Sequence, residues 1–551
     1  MLDDCNVFYQ TRDVNQPVQS YDVVVVGSGA GGLVGALTAA DRGLRVVLVE
    51  KADTFGGTTA LSGAGLWAPA NLHVLAAGQP DSLDLAREYL RNTVGDRTPE
   101  AMQQAFLHSA AAVIAWLEDR DVRFNFMTGY PDYHPGLPGA LLTGRAITPK
   151  VFAYRRLAAV HHPVRPPMPM GAGGPPIPDT GPQGPRWGGQ SLIAQLLIAC
   201  EKAGVDLWAA TAFTDLIVSD GRVVGISAVR NGEQLTLSAR AGVLLAAGGF
   251  EHNALMREQA QQGIVARDDW TLGVEGNIGD GIRAGMALGA ATDLLEDCWW
   301  APGFLRPGGA PSFLLWERVA PGGIIVDRSG RRWLNEGTDY NTFGHLMLAA
   351  EAAGIPAIPS WFVMDQAFVE ASGFGGLRPG ADTTGWVEAG VLVRADTVAE
   401  LAERIGAPEL VATVERWNGW AAAGTDQEFG RGAENSHERQ LLSVFQRYPG
   451  IAGPHEHPNP SLAPIDQGPF YAGQVVLSDL GTKGGLVCDE QARVLDGQGR
   501  PLPGLYACGN TMASMMGHSY PGPGACITPG MAFAHLAVGA MSDELTELQG
   551  V

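Results

Sequence analysis

Residues 21–51, YDVVVVGSGAGGLVGALTAADRGLRVVLVEK, run from an apolar stretch through a glycine turn and an apolar helix-like segment into a second apolar stretch. Short runs rich in β-branched residues and bounded by turn residues read as fully buried strands, so this stretch predicts a βαβ unit with parallel strands. Gly27, Gly29 and Gly32 fit the spacing GxGxxG. Alone that spacing is weak. Here it follows a four-valine strand, opens a helix, and is followed by Glu50 at the end of the next strand, which is the setting of a dinucleotide site. Gly27 permits the tight turn, Gly29 lets backbone approach a pyrophosphate, and Gly32 allows close helix-strand packing. The helix N-terminus attracts the phosphate charge, and Glu50 is placed to accept hydrogen bonds from a ribose. NAD and FAD share this fingerprint.

The chain has 551 residues, 46% hydrophobic and 17% charged, which fits a folded protein of two large domains. A net charge of −21 without clustered Lys and Arg excludes a nucleic-acid partner. No apolar run reaches the length of a membrane span, and the acidic N-terminus MLDDCNVFYQTRD is unlike a signal peptide, so a cytoplasmic protein is expected, with at most a peripheral membrane contact. The six cysteines lack CxxC spacing and read as reduced, packed thiols, with neither a disulfide framework nor a metal site.

Further along, residues 213–250 are β-rich and broken at Asp220-Gly221 and Asn231-Gly232, both hairpin signals, which predicts an antiparallel meander feeding the strand at 243–247. Residues 163–186 are too rich in Pro and Gly for a regular element. They read either as a passive linker or as a cover over a pocket or a membrane contact through Met168, Met170 and Ile177. The Trp-rich stretch 299–316 opens a region of different character. The expected organisation is a Rossmann-like α/β domain over residues 1–297 and 479–551, interrupted by an inserted α+β domain at 298–478.

Three later segments choose between the cofactors. KADTFGGTTALSGAGLWAPAN (51–71), LLAAGGF (244–250) and GLYACGNT (504–511) resemble, in order, the remaining flavin-contacting motifs of the fumarate reductase and succinate dehydrogenase flavoprotein superfamily. The resemblance implies FAD held by Gly27, Ser28, Gly29, Ala30, Gly31 and Gly32, by Glu50 and Lys51, by Gly56, Gly57, Thr58, Thr59, Ser62 and Gly63, by Ala247, Gly248 and Gly249, and by Gly509, Asn510 and Ile527. Members that attach FAD covalently carry a His in the second motif. Thr58, Thr59, Ala60 and Leu61 stand there instead, so noncovalent FAD is expected.

Within the superfamily the chain is similar to the 3-ketosteroid Δ1-dehydrogenases through FGGTTALSGAGLW, YPDYH, LNEGTDYNTFG, LSDLGTKGGLV, YACGNT and YPGPGA. The similarity spans nearly the whole length and is weakest over 150–186 and 425–465. It implies that the Tyr520 hydroxyl and the Gly524 N–H polarise the C3 carbonyl of a 3-ketosteroid, that Tyr340 takes the C2 proton, and that Tyr133 supports Tyr340. It implies also a quinone or other carrier as electron acceptor. The chemistry is sensible on its own terms. A carbon beside a ketone becomes acidic only when donors stabilise the enolate-like oxygen, one donor being worth about 3–4 kcal/mol. A tyrosine base, with an ordinary pKa of about 10, must be shifted or pass its proton onward.

Tyr471 and Tyr506 read as packing or flavin-adjacent residues. His345 and His518 lie near the site in sequence but have no evident partner, and Asp479 reads as structural. The C-terminal helix is expected to begin near Ala525, with its positive end beneath the site. Bulk at Gly524 is expected to cost activity before folding. Two rival readings remain: a 3-ketosteroid Δ4-(5α)-dehydrogenase on the same framework, or a noncatalytic flavin- or steroid-binding protein.

Overall fold

The structure, a computed structural model, describes residues 18–151, 162–166, 186–261, 267, 269–447 and 457–549. Most of the Pro/Gly-rich segment, 167–185, lies outside the described residues, and with it Met168, Met170 and Ile177. Among the described residues, no helix is long and apolar enough to cross a membrane.

The valines of residues 23–26 are at most 4% exposed. Burying each side chain is worth about 1.5–3 kcal/mol, which seats their strand, Val18–Val26, inside an eight-stranded sheet. It pairs in parallel with Val46–Val49 on one edge and with Glu233–Leu245 on the other. Beyond these lie Asp206–Trp208 and Pro501–Ala507, both parallel, and then antiparallel Arg493–Leu495. Strands Thr211–Ser219 and Arg222–Arg230 form the expected meander with Glu233–Leu245. Its turns place Asp220, Gly221, Asn231 and Gly232 all at positive φ (50°, 76°, 53° and 83°), the conformation that a two-residue turn matching strand twist requires.

The helix Ala30–Asp41 is apolar nearly all round because both its faces are covered. A Cβ on Gly35 would lie 2.5 Å from the Leu244 side chain, and one on Gly31 would lie 2.9 Å from Gly530 O. Those two glycines let the helix sit between the sheet and the C-terminal helix Ile527–Gln549. The last segment of the chain thus packs directly behind the N-terminal glycine turn. This helix starts at Ile527, not near Ala525, because residues 522–526 form a preceding turn in which the Gly524 carbonyl accepts from Ile527 N and Thr528 N.

A second, antiparallel sheet of six strands is organised around the long strand Phe470–Thr482. On one side this strand pairs with Ser360–Asp365, which carries Gly323–Val326 beyond it. On the other it pairs with Leu392–Ala395 near its start and with Cys298–Leu305 along the rest, and Pro311–Phe313 lies outside the latter. Cys298 faces Thr482 in this ladder. The chain therefore enters and leaves the second sheet at adjacent points.

Candidate active site

The four glycine motifs meet at one edge of the first sheet. Gly27 has φ +101°, and a Cβ there would lie 2.3 Å from Ala246 O. On Gly32 a Cβ would lie 2.0 Å from Gly27 O. These two glycines are required by packing alone. Gly29 is different: a Cβ on it would meet only Thr59 Oγ1, at 3.6 Å, and on Gly63 or Gly509 nothing within 4 Å. The space beside all three is open, and Gly29 caps the helix Ala30–Asp41, a cradle shaped for a phosphate. Gly57 lies over Gly29, and Thr59 Oγ1 accepts from Ala30 N at 3.2 Å, so the second motif closes on the first. Gly56, at φ +121°, makes that bend.

Several of the expected cofactor residues are held by each other. Ser28 donates to Glu50 Oε2 from both N and Oγ, at 3.1 and 2.5 Å, while Glu50 Oε1 accepts from Ala52 N. Lys51 pairs with Asp280 at 2.7 Å. Thr58 Oγ1 accepts from Val274 N and Asn277 Nδ2, and Ser62 Oγ donates to Thr59 O. The third and fourth motifs are joined by Thr511 Oγ1 donating to Gly248 O. Beside them Gly249 and Ala247 end the strand, and Asn510 Oδ1 accepts from Trp299 Nε1 at 3.1 Å. A narrow opening lies here between Asn510, Trp299, Met515, Cys526 and Pro529, next to Ala525 and the start of the Ile527 helix.

On the far side of Trp299 the structure brings three distant tyrosines together. Ring centroids of Tyr133, Tyr340 and Tyr520 lie 5.2–5.3 Å apart pairwise, with Trp299 5.0 Å from Tyr520 and Phe313 5.0 Å from Tyr340. The Tyr133 hydroxyl donates to that of Tyr340 at 3.2 Å. Gly524 N donates to the Tyr520 hydroxyl at 3.4 Å, and Cys526 Sγ lies 3.2 Å from the same oxygen. One hydroxyl and one N–H therefore stand side by side, as the sequence suggests for a carbonyl site.

Each tyrosine is placed by its local chain. Tyr340 is the first residue of the helix Tyr340–Ala352, capped by Asp339, whose side chain accepts from Thr342 N at 2.9 Å. Tyr133 lies in a loop tied to the Tyr520 turn by the Pro521 carbonyl, which accepts from Tyr133 N at 2.9 Å and from the Tyr89 hydroxyl at 2.7 Å. Beneath that loop Asp132 and Asp81 both bind the fully buried Arg145. Losing one member of a buried charged group costs about 3–5 kcal/mol, so the loop is firmly held.

Gly524 corrects one expectation. Its φ is +87°, and a Cβ would lie 1.7 Å from Gly65 O and 2.2 Å from Gly65 C. Any side chain at all would collide with backbone of the second glycine motif, so substitution there costs folding along with activity.

Burial pushes the Tyr133, Tyr340 and Tyr520 hydroxyls well above the ordinary tyrosine range. All three are neutral donors at neutral pH. Burial lowers the guanidinium of Arg318 to about 10, against the opposing pull of Asp339 and Glu317, and it is held by the Leu314, Glu336 and Thr338 carbonyls.

His345 and His518 do have a partner. His345 Nε2 and His518 Nδ1 lie 2.9 and 3.0 Å from the two oxygens of Asp297, which is separated from His518 by 221 residues and gives no local sequence signal. Asp479 binds Arg257 and Thr271, a structural role. Tyr471 bonds Gln366 and Tyr506 bonds Glu544, both apart from the tyrosine cluster.

Residues 22–527 match the family described as FAD binding domain. A 3-oxosteroid 1-dehydrogenase of Mycolicibacterium smegmatis (strain ATCC 700084 / mc(2)155) is 40% identical over 578 residues, covering 96% of this chain and 98% of that protein. A 4-oxocyclohexanecarboxylate 2-dehydrogenase of Sinomonas cyclohexanicum is 36% identical over 95% of this chain and 93% of its own. The solved 3-ketosteroid delta1-dehydrogenase of Sterolibacterium denitrificans, in complex with 1,4-androstadiene-3,17-dione, has a TM-score of 0.85 at 35% identity, covering 96% of this chain and 100% of that one. The open glycine cradle fits FAD, and the chain belongs to the 3-ketosteroid Δ1-dehydrogenase family of FAD-binding flavoproteins.

Proposed function

We propose that the protein is an FAD-dependent 3-oxosteroid 1-dehydrogenase, which introduces a C1–C2 double bond into the A ring of a 3-ketosteroid. The observation that carries this is the pairing of two hydroxyl functions across one apolar aromatic site. Tyr520 and the Gly524 N–H form the donor pair, and Tyr340, which accepts from Tyr133 at 3.2 Å, is the base.

The ketone oxygen binds between the Tyr520 hydroxyl and the Gly524 N–H, and both donors strengthen as negative charge grows on that oxygen. Burial keeps Tyr520 protonated, so it is always available to donate. A neutral phenol cannot take the C2 proton, so Tyr340 first loses its own proton to solvent, and the hydrogen bond that the Tyr133 hydroxyl donates to it stabilises the phenolate oxygen that then accepts the C2 proton. Burial makes that phenolate costly, which raises the pH at which the base is available. The Arg318 guanidinium stabilises negative charge on the pair through Tyr133. Bound FAD supplies the acceptor for the C1 hydride.

FAD is held without a covalent bond, since Thr58 and Thr59 offer no nucleophile of the kind that attaches it. Residues 298–478 form the substrate-binding insertion. Electrons pass on to a quinone or other carrier.

The test is anaerobic. Androst-4-ene-3,17-dione and cholest-4-en-3-one are added to the oxidised protein and the flavin absorbance is followed, with the product identified by mass and NMR. The expected result is bleaching with a new C1–C2 double bond. A double bond at C4 would turn the reading to the Δ4-(5α) reaction. Bleaching by 4-oxocyclohexanecarboxylate alone would point to the small-ring substrate of the 36%-identical relative, and no bleaching by any ketone would leave a binding protein.

A further inference from the structure

Asp297 and Lys483 stand immediately outside the paired residues Cys298 and Thr482, where the chain passes between its two sheets. They are bonded at both levels: Lys483 N donates to Asp297 O at 3.0 Å, and Lys483 Nζ lies 3.3 Å from Asp297 Oδ2. The lysine side chain is completely buried. An ammonium strongly prefers water, and its burial is tolerated only when its donors are used. Here they are directed at the segment before Tyr520, donating to His518 O at 2.6 Å and to Ser519 O at 3.2 Å. The ammonium also lies 4.9 Å from the Trp299 ring centroid, the ring packed on Tyr520.

Asp297 completes the link from the other side. His345, whose Nε2 donates to Asp297 Oδ1, is on the helix headed by Tyr340, and Asn341 of the same helix donates to His518 O at 3.2 Å. Asp297, His345 and His518 bring three ligand atoms within 4.8 Å of one another, but the Lys483 ammonium already lies on that carboxylate and takes the place of a metal cation.

We propose that Lys483, anchored by Asp297, is a positioning residue that fixes the Tyr520 turn in register with the helix carrying Tyr340. The two donors at the ketone and the base at C2 come from different layers of the fold, and this ion pair is where those layers are pinned together. The proposal rests on the function proposed above. It assigns Lys483 no contact with substrate: its effect passes entirely through Tyr520.

Displacing a catalytic donor by about 1 Å can cost up to 10²-fold in rate. Lys483→Met keeps the stem and removes the ammonium. It is expected to retain FAD, to slow anaerobic flavin reduction by saturating androst-4-ene-3,17-dione roughly 10- to 100-fold, and to shift the half-saturating steroid concentration by less than about threefold, because the lost interaction acts on the developing charge. The decisive comparison is with Tyr520→Phe. If Lys483 acts through that hydroxyl, the double variant is no slower than Tyr520→Phe alone, a non-additivity that general loosening of the fold would not give.

An unimpaired Lys483→Met, or the same loss of rate in both backgrounds, overturns the proposal. If Lys483→Met does not load FAD because Asp297 is left unpaired, Lys483→Met/Asp297→Asn removes both charges and is read in the same way. Failure of that variant also to load FAD shows a purely structural lysine and overturns the proposal. A wild-type flavin that no 3-ketosteroid bleaches overturns the proposed function and this inference with it. A wild-type flavin that bleaches beside an unimpaired variant overturns this inference alone.

Discussion

Gly524→Ala adds a single methyl group at the centre of the ketone site, and the structure fixes what that methyl meets. It would lie 1.7 Å from Gly65 O, 2.2 Å from Gly65 C and 2.7 Å from Leu66 N, all backbone atoms. A carbon and a carbonyl oxygen normally approach to about 3.3 Å, so the two backbones must separate by roughly 1.6 Å. Alanine must also hold φ near +87°, at a cost of about 1–2 kcal/mol, and overpacking adds about 1–3 kcal/mol. The expected destabilisation is about 2–5 kcal/mol, concentrated where the Tyr520 turn rests on the second glycine motif. Thermal unfolding, followed by tryptophan fluorescence together with flavin release, should show a midpoint several degrees below wild type and reduced FAD occupancy. Tyr520→Phe, which removes a hydroxyl and adds no volume, should keep both near wild type while losing activity. A Gly524→Ala protein with wild-type midpoint and full FAD would refute the steric argument.

Two glycines of the first motif should separate binding from folding: Gly29→Ala, with 3.6 Å of clearance, should fold normally but carry less FAD by its absorbance near 450 nm, while Gly32→Ala, 2.0 Å from Gly27 O, should lower the unfolding midpoint itself. Tyr340→Phe should retain FAD and slow its anaerobic reduction by about 10²–10⁴-fold; a rate within threefold of wild type would remove Tyr340 as the base. Glu317 is fully buried, and burial raises its carboxyl to about 7 against backbone N–H groups and Arg318 that work to lower it. The folded state therefore binds its proton more tightly than the unfolded chain, and the stability this gives is complete below pH about 4.5 and lost as pH rises through about 7. Glu317→Gln should leave the midpoint little changed at pH 4.5 and raise stability by about 3 kcal/mol at pH 8; equal effects at the two pH values would contradict the assignment.

The first sheet is legible in sequence because its signals are local. Four adjacent valines, a glycine spacing and two Asn-Gly or Asp-Gly turns each act within a few residues, and each appears in the structure where the pattern puts it. The second sheet is not legible in that way. Its central strand, Phe470–Thr482, takes partners from 298–305, 360–365 and 392–395, and nothing within any one of those segments names the others. The same holds in the active site. The three tyrosines are recognisable by resemblance, but the residues that set them in place are separated by long stretches of chain: Asp297 from His518, Lys483 from Asp297, Arg318 from Tyr133. Gly524 shows the limit most clearly. Its need for close approach is readable from SYPGPGA, whereas the atom it approaches, Gly65 O, is 459 positions earlier and could be found only in three dimensions.

Because Cys298 and Thr482 are neighbours across one ladder, the chain enters and leaves the second sheet through a two-stranded stem. An interchangeable cassette needs just such a stem: segments of different length and sequence can be grafted between those two positions without re-threading any strand of the dinucleotide domain. The requirement that stays with the framework is the ion pair at the stem's base. Recombination that exchanges residues 298–482 while keeping Asp297 and Lys483 leaves Tyr133 and Tyr520 in place, and the incoming segment must bring its own tyrosine at the position of Tyr340.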